Sequence, residues 1–94
     1  MRLTIIKNDG MVIKDGVPME GINLANLPDN FHALQWDDAS GDLETKDAEG
    51  KPANEIVTDL TPYQWCIDAW QSSFDAQQAA IAALEAEAQE GATP

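Results

Sequence analysis

The sequence predicts an α+β fold in which a small antiparallel sheet, a β-meander plus a hairpin, is followed by one long C-terminal helix. Up to residue 60, short apolar segments alternate with Asp-Gly and other turn sequences, which is typical of hairpins. From residue 63 to residue 89 there is no Pro or Gly, and apolar residues recur at helical spacing. We therefore divide this single domain into an antiparallel β-rich region 1–60, an amphipathic helix 61–90 that packs on the sheet and extends beyond it, and a tail 91–94.

The first part of the sheet is predicted as a meander of three strands, near 2–8, 11–14 and 17–20. Asp9-Gly10 and Asp15-Gly16 separate these strands, and both dipeptides suit primed turns whose central residues need positive φ. Pro18 has no backbone N–H to donate, so the third strand is expected at a sheet edge or to end early.

Residues 21–31 are rich in turn formers and predict an ordered connection with room for one helical turn. Apolar residues in this segment are the expected anchors to the core, and they are Ile22, Leu24, Leu27 and Phe31.

A second hairpin is predicted from 32–37 and 42–46, joined by a turn over Asp38-Ala39-Ser40-Gly41. This register places Trp36 beside Leu43 on one face, and it places His32 on the face of Leu34 and Trp36. Residues 47–54 are interpreted as a polar loop.

The helix is predicted from Pro62 to Gln89, with Thr61 as N-cap and with Gly91 and Pro94 as the stop signal. Its apolar positions follow a heptad spacing with one polar defect at Gln77. The positions are Tyr63, Ile67, Trp70, Phe74, Gln77, Ile81, Leu84 and Ala88.

A helix of this length is about 42 Å long, whereas strands of five or six residues span about 17–20 Å, so the helix outruns the sheet. Its first half is aromatic and is expected to cover the sheet, whereas its second half is rich in Ala and Gln. That second half either frays in water or waits for a partner helix, and we favour the partner. The predicted core residues are Trp36, Leu43, Ile67, Trp70 and Phe74, and the predicted protein-interaction residues are Trp65, Ile81, Leu84, Glu85 and Glu87.

The charge of the chain narrows the class of partner. The formal net charge is −12, and all five basic residues precede position 52. Such a chain repels phosphate backbones and anionic membrane surfaces, so we expect neither a nucleic acid nor a membrane as partner. The N-terminal segment lacks the apolar core of a signal peptide, and the chain is expected to stay soluble where it is made.

The sequence offers no pattern that supports catalysis, a metal or a cofactor. The acidic turn 37–44 lacks the alternate ligand spacing of a calcium loop. His32 is the single histidine and is interpreted as structural, and Cys66 is expected to be buried and inert. We therefore expect a protein that is not an enzyme.

Four groups of short motifs lie along the first three quarters of the chain. They are Thr4-Ile5-Ile6-Lys7-Asn8-Asp9-Gly10 with Val12 and Asp15-Gly16, Leu34-Gln35-Trp36-Asp37 with Gly41 and Leu43-Glu44, Pro52 with Asn54-Glu55-Ile56, and Tyr63 and Trp65 with Asp68-Ala69-Trp70. Together these motifs, over about residues 3–75, resemble a loose family of short proteins of tailed bacteriophages that are encoded among tail and tail-fibre genes. The extension after Phe74 has no counterpart in this resemblance.

The resemblance implies a structural or assembly role in the phage tail, and it carries over no catalytic residue. One hypothesis is a virion component, a small tail or tail-fibre-associated adaptor acting through protein contacts. The other is a non-virion chaperone for tail or tail-fibre assembly. The implied partners are other tail or tail-fibre proteins, and copies of the chain itself are a further option. The implied location is the virion tail region, after synthesis in the host cytoplasm.

Overall fold

The computed structural model describes residues 1–92, with side chains up to Glu87. Within residues 1–92 there are six strands, one 3₁₀ turn and one α-helix. These are β1 (Arg2–Ile6), β2 (Met11–Lys14), β3 (Val17–Met19), β4 (Phe31–Asp37), β5 (Ser40–Lys46), β6 (Pro52–Val57), the 3₁₀ turn Thr61–Tyr63 and α1 (Gln64–Ala92).

The six strands form one antiparallel sheet in the order β3-β2-β1-β4-β5-β6. Two meanders, β1-β2-β3 and β4-β5-β6, meet where β1 pairs with β4 at the centre. This sheet followed by a single helix confirms the predicted α+β class.

The sixth strand was missed, because the polar loop predicted over 47–54 contains the first half of β6. β6 pairs with β5 from Lys46 opposite Pro52 to Gly41 opposite Val57. All of its residues except Val57 are exposed, since β6 is an edge strand with little covering it. Such a strand is held by backbone pairing and needs no apolar alternation, so composition gives only a weak signal for it.

Of the two primed turns predicted in the first meander, one is present and the other is not. Asp15 and Gly16 both have positive φ, 50° and 83°, as a primed turn requires. At Asp9-Gly10 only Gly10 is at positive φ, 58°, and its N–H donates to the Lys7 carbonyl at 3.1 Å. The connection is therefore a four-residue loop over 7–10, and β1 ends two residues earlier than predicted.

The turn of the second hairpin is shorter than predicted, and this changes the register. Only Asp38 and Ala39 lie between β4 and β5, with Asp38 at φ 56°. Trp36 therefore lies opposite Gly41, and Leu43 lies opposite Leu34. The predicted four-residue turn is wrong, but Trp36 and Leu43 share one face as predicted and are diagonal neighbours across the two strands.

A β-bulge between Phe31 and Ala33 corrects the predicted position of His32. The alternation that places Leu34 and Trp36 in the core does not extend back through the bulge, and His32 is half-buried. Phe31, one residue earlier, is buried instead.

The core lies between one face of the sheet, which we call the inner face, and the segments that cover it. The inner face contributes Leu3, Ile5, Val12, Met19, Leu34 and Trp36. The connection between β3 and β4 covers part of this face without forming a helical turn. Three of its predicted anchors, Ile22, Leu24 and Leu27, are buried, and the fourth, Phe31, is also buried but is the first residue of β4. The first turns of α1 cover the rest, with Cys66 and Trp70 buried.

The ends of the helix differ from the predicted caps. Leu60 is the N-cap of the 3₁₀ turn, and Thr61 lies inside that turn. The Asp59 carboxylate accepts hydrogen bonds from the Thr61 hydroxyl at 2.6 Å and the Thr61 N–H at 2.9 Å. These bonds lower the pKa of Asp59, with the hydroxyl bond as the larger cause. The helix also continues through Gly91 to Ala92, because glycine can adopt helical φ and ψ at a cost of about 1 kcal/mol.

Candidate interaction surface

The last part of α1 leaves the body of the protein. The helix contacts the sheet through β2 and β3, and Phe74 is the last of its residues that packs against the core. We call residues 75–92 the arm, and every residue from Asp75 to Glu87 is exposed. Eighteen residues of helix extend about 27 Å. The molecule accordingly measures 64 × 28 × 17 Å.

Trp70 fixes the direction in which the arm leaves the sheet. Its indole Nε1 donates a 2.8 Å hydrogen bond to the Val17 carbonyl of β3. The Lys14 ammonium lies 4.8 Å from the Trp70 ring centroid, and the Phe74 ring stacks on Trp70 at 5.0 Å and 11°. Two of these contacts hold Trp70 to β2 and β3, and the stacking on Phe74 lies within α1 directly before the arm.

One glutamine and two large aliphatic side chains form a narrow row along the arm, on the side of α1 that carries Trp70. We call Gln77, Ile81 and Leu84 the arm stripe. At 3.6 residues per turn, these three side chains fall within about 40° of Trp70 around the helix axis. Ile81 is 40% exposed and Leu84 is 65% exposed, so both predicted contact residues are free of the core. Ala88, the last predicted position of the stripe, lies outside the described side chains.

Acidic residues flank the arm stripe near the C-terminal end of the helix. Glu85 and Glu87 lie on opposite sides of the stripe, and both are exposed. The last turn of α1 carries no basic residue. The partial negative charge of the helix C-terminus is therefore not compensated by a basic side chain within the last turn.

The predicted core residues all contact the core, to different depths. Trp36 and Trp70 are buried, whereas Leu43, Ile67 and Phe74 are partly buried against the core. Trp65, predicted as an interaction residue, is also partly buried there, which leaves only part of its ring for a neighbour.

Cys66 is the most deeply buried helix residue, with no exposed surface. Burial raises the pKa of its thiol to about 11, so the thiolate needed for reactivity is disfavoured. His32, interpreted from the sequence as structural, lies on β4 and is half-buried.

A second exposed apolar residue was not predicted. Ile56 on β6 is 73% exposed and lies on the outer face of the sheet, opposite Asp42. The signal that could have found it is the β-branched pair Ile56-Val57, which favours a strand over a loop.

A shallow depression of about 380 Å³ is lined by Arg2, Thr4, Gln35, Trp36, Asp37 and Asp42. Within the part of the chain that the structure describes, no group of three or more His, Cys, Asp or Glu is placed to hold a metal ion. Over the same residues, no helix has the length and apolar character needed to cross a membrane.

Comparisons with protein families, with curated proteins and with solved structures found no match to this chain. The arm stripe, its flanking carboxylates and the Trp70 anchor therefore define the candidate site by geometry alone.

Proposed function

We propose that the protein is a small structural adaptor of a tailed-bacteriophage tail or tail fibre, and that it acts through protein contacts made by the arm. The motifs before residue 75 support the phage assignment through their resemblance to short tail-gene proteins. The arm is the observation that carries the contact role, because it presents Ile81 and Leu84 to solvent on a helix that the body holds in place.

An arm of this kind suits assembly for a physical reason. Helix nucleation is the unfavourable step in forming a helix, and the first turns of α1 are already fixed by packing on the sheet. The arm extends an existing helix, so a partner meets a surface that needs little further ordering. Less conformational entropy is lost on binding, which favours affinity from a small contact area.

The fold itself adds no argument for catalysis. The single buried thiol has a raised pKa, and the carboxylates of the Asp37–Asp42 turn are exposed to water. A contact protein needs no such groups, and its specificity comes from shape and charge.

The test is the protein composition of purified particles of the phage that encodes this chain. Mass spectrometry of gradient-purified virions should detect the chain at a constant ratio to the tail proteins. Tail-less heads of the same phage are the matched control and should lack it. If the chain is required for tail formation but is absent from complete virions, the adaptor proposal is wrong and the assembly-chaperone alternative stands.

A further inference from the structure

We infer that the partner of the arm is a single amphipathic helix with basic flanking residues, which pairs with the arm as a short two-stranded coiled coil. This inference rests on the proposed contact role of the arm and names the chemistry of the partner.

The arm stripe has the heptad spacing of a coiled-coil interface. Counting from Trp70 in steps of four and three residues, Phe74 and Ile81 occupy heptad position a, and Gln77 and Leu84 occupy position d. Trp70 and Phe74 are already engaged by the body, whereas Gln77, Ile81 and Leu84 have no cover. A seam with this 3.5-residue period is filled by the knobs of another helix, whereas a strand or a loop does not match its period.

The charged residues beside the arm stripe are acidic. Positions e and g of the arm are Gln78, Ala80, Glu85 and Glu87, so the flanking charges are all negative. In coiled coils these positions select the partner through ion pairs across the interface. A partner with Lys or Arg at its own e and g positions is therefore complementary.

The polarity of the helix itself also bears on the partner. The last turn of α1, where the helix dipole favours cations, carries no basic residue, and Glu85 and Glu87 add negative charge in the two turns before it. A basic partner helix supplies that missing positive charge. A second copy of the chain does not, because no Lys or Arg follows residue 51 and the copy would bring like charges to the same end.

Gln77 supplies the register of the pairing. A polar side chain at a core position weakens a coiled coil but specifies alignment when a polar residue faces it. The partner helix should therefore carry a polar residue opposite Gln77 and apolar residues opposite Ile81 and Leu84.

The experiment uses the full chain and designed synthetic peptides about three heptads long, all with Leu at a and d except for one Asn placed to face Gln77. One peptide carries Lys at every e and g position, and its matched control carries Glu there. Binding is measured by isothermal calorimetry at low and at high salt.

The Lys peptide should bind the wild-type chain at least about tenfold more tightly than the Glu peptide, and high salt should reduce the difference. The Glu85→Lys/Glu87→Lys variant should reverse the preference. The Ile81→Ser/Leu84→Ser variant should bind neither peptide, and circular dichroism of this variant should show an intact fold.

Equal binding of the two peptides to the wild-type chain would overturn the inference. Binding of the Lys peptide that survives Ile81→Ser/Leu84→Ser would also overturn it, because the attraction would then be unspecific charge. Dimers of the wild-type chain in sedimentation that are abolished by the same Ser substitutions would show that the occupant is a second copy. Each of these results is independent of whether the chain is found in virions, so the partner chemistry and the adaptor role fail separately.

Discussion

Trp70 joins the folding role of α1 to the position of the arm. It is buried, donates to the Val17 carbonyl at 2.8 Å and stacks on Phe74. Removing it therefore leaves a large cavity, an unpaired carbonyl on β3 and an unsupported helix.

We expect Trp70→Ala to lower the free energy of unfolding by about 3–5 kcal/mol, as large-to-small core substitutions do. Trp70→Phe keeps the ring stacking but loses the hydrogen bond, and it should cost less than the Ala substitution. Urea denaturation followed by circular dichroism measures both. Equal costs for the two variants would contradict the assigned role of the ring.

Gly41 is required by close packing against its cross-strand neighbour Trp36. A Cβ at this position would lie 2.7 Å from the Gln35 carbonyl oxygen and 3.0 Å from the Trp36 Cα. Both atoms are backbone, so the strands would have to separate.

Gly41→Ala should therefore destabilise the fold by about 1–3 kcal/mol, the usual cost of overpacking. Ser40→Ala, at the neighbouring exposed position, is the control and should change stability by less than about 0.5 kcal/mol. Thermal unfolding of the two variants checks this. A Gly41→Ala protein as stable as the Ser40→Ala protein would show that the close approach is absent.

Cys66 gives the fold a predicted dependence on alkaline pH. Burial raises the pKa of its thiol from 9.0 to about 11, and the pKa of Tyr63 is also raised, mainly by burial. Between these pH values the unfolded thiol loses its proton while the folded thiol keeps it. The folded state then binds more protons than the unfolded state, so raising the pH favours unfolding.

The free energy of unfolding should fall by roughly 2 kcal/mol between pH 9 and pH 11 because of Cys66. Cys66→Ala should remove most of this slope, and Tyr63→Phe should remove a smaller part. Denaturation midpoints at a series of pH values measure the slopes. A Cys66→Ala protein with the full wild-type slope would show that the thiol is not the group responsible.

At the scale of elements, α1 has two parts with different roles. Up to Phe74 it covers the inner face of the sheet, and beyond Phe74 no described residue packs against the core. The arm should therefore be dispensable for folding.

Deleting residues 78–94 should change the free energy of unfolding by less than about 1 kcal/mol, because only exposed helix is lost. The far-UV helical signal should drop in proportion to the residues removed. Chemical denaturation of the full and shortened chains measures both quantities. A large loss of stability would mean that the arm folds back on the body in solution.

Elements with strong local patterns could be predicted from the sequence. The Asp15-Gly16 turn, the anchors Ile22 and Leu27, and the long helix all have signals that a few residues carry by themselves. Ile81 and Leu84 were selected as interaction residues for the same reason, since their spacing continues that of Trp70; they are exposed, and their role in contacts stays a prediction.

The elements that were missed depend on partners distant in sequence. β6 is a strand because β5 offers a free edge, and its own side chains do not require it. The register of Gly41 opposite Trp36 follows from a two-residue turn, which the sequence Asp38-Ala39-Ser40-Gly41 does not distinguish from a four-residue turn. The bulge at His32 likewise arises from the pairing of β4 with β5.

At the scale of the whole molecule, the body contains the buried core, whereas the proposed contacts with a partner are made by the arm. The body buries its aromatic residues around Trp36 and Trp70, and the arm carries exposed apolar residues and unbalanced negative charge. This separation predicts that contact can be removed without loss of the fold.

The most direct test of the proposed tail-adaptor role is the yield of infectious particles from a tailed phage whose gene for this chain is deleted and complemented from a plasmid. The Ile81→Ser/Leu84→Ser variant introduces two hydroxyl groups into the arm stripe. The matched control, Ala79→Ser/Ala83→Ser, introduces two hydroxyl groups on the opposite side of the arm. At equal expression, the Ala79→Ser/Ala83→Ser protein should restore the titre as well as the wild-type chain, and the Ile81→Ser/Leu84→Ser protein should leave it at the level of the deletion. A full titre with Ile81→Ser/Leu84→Ser would contradict the account, because the arm stripe would then not be the surface through which the protein acts.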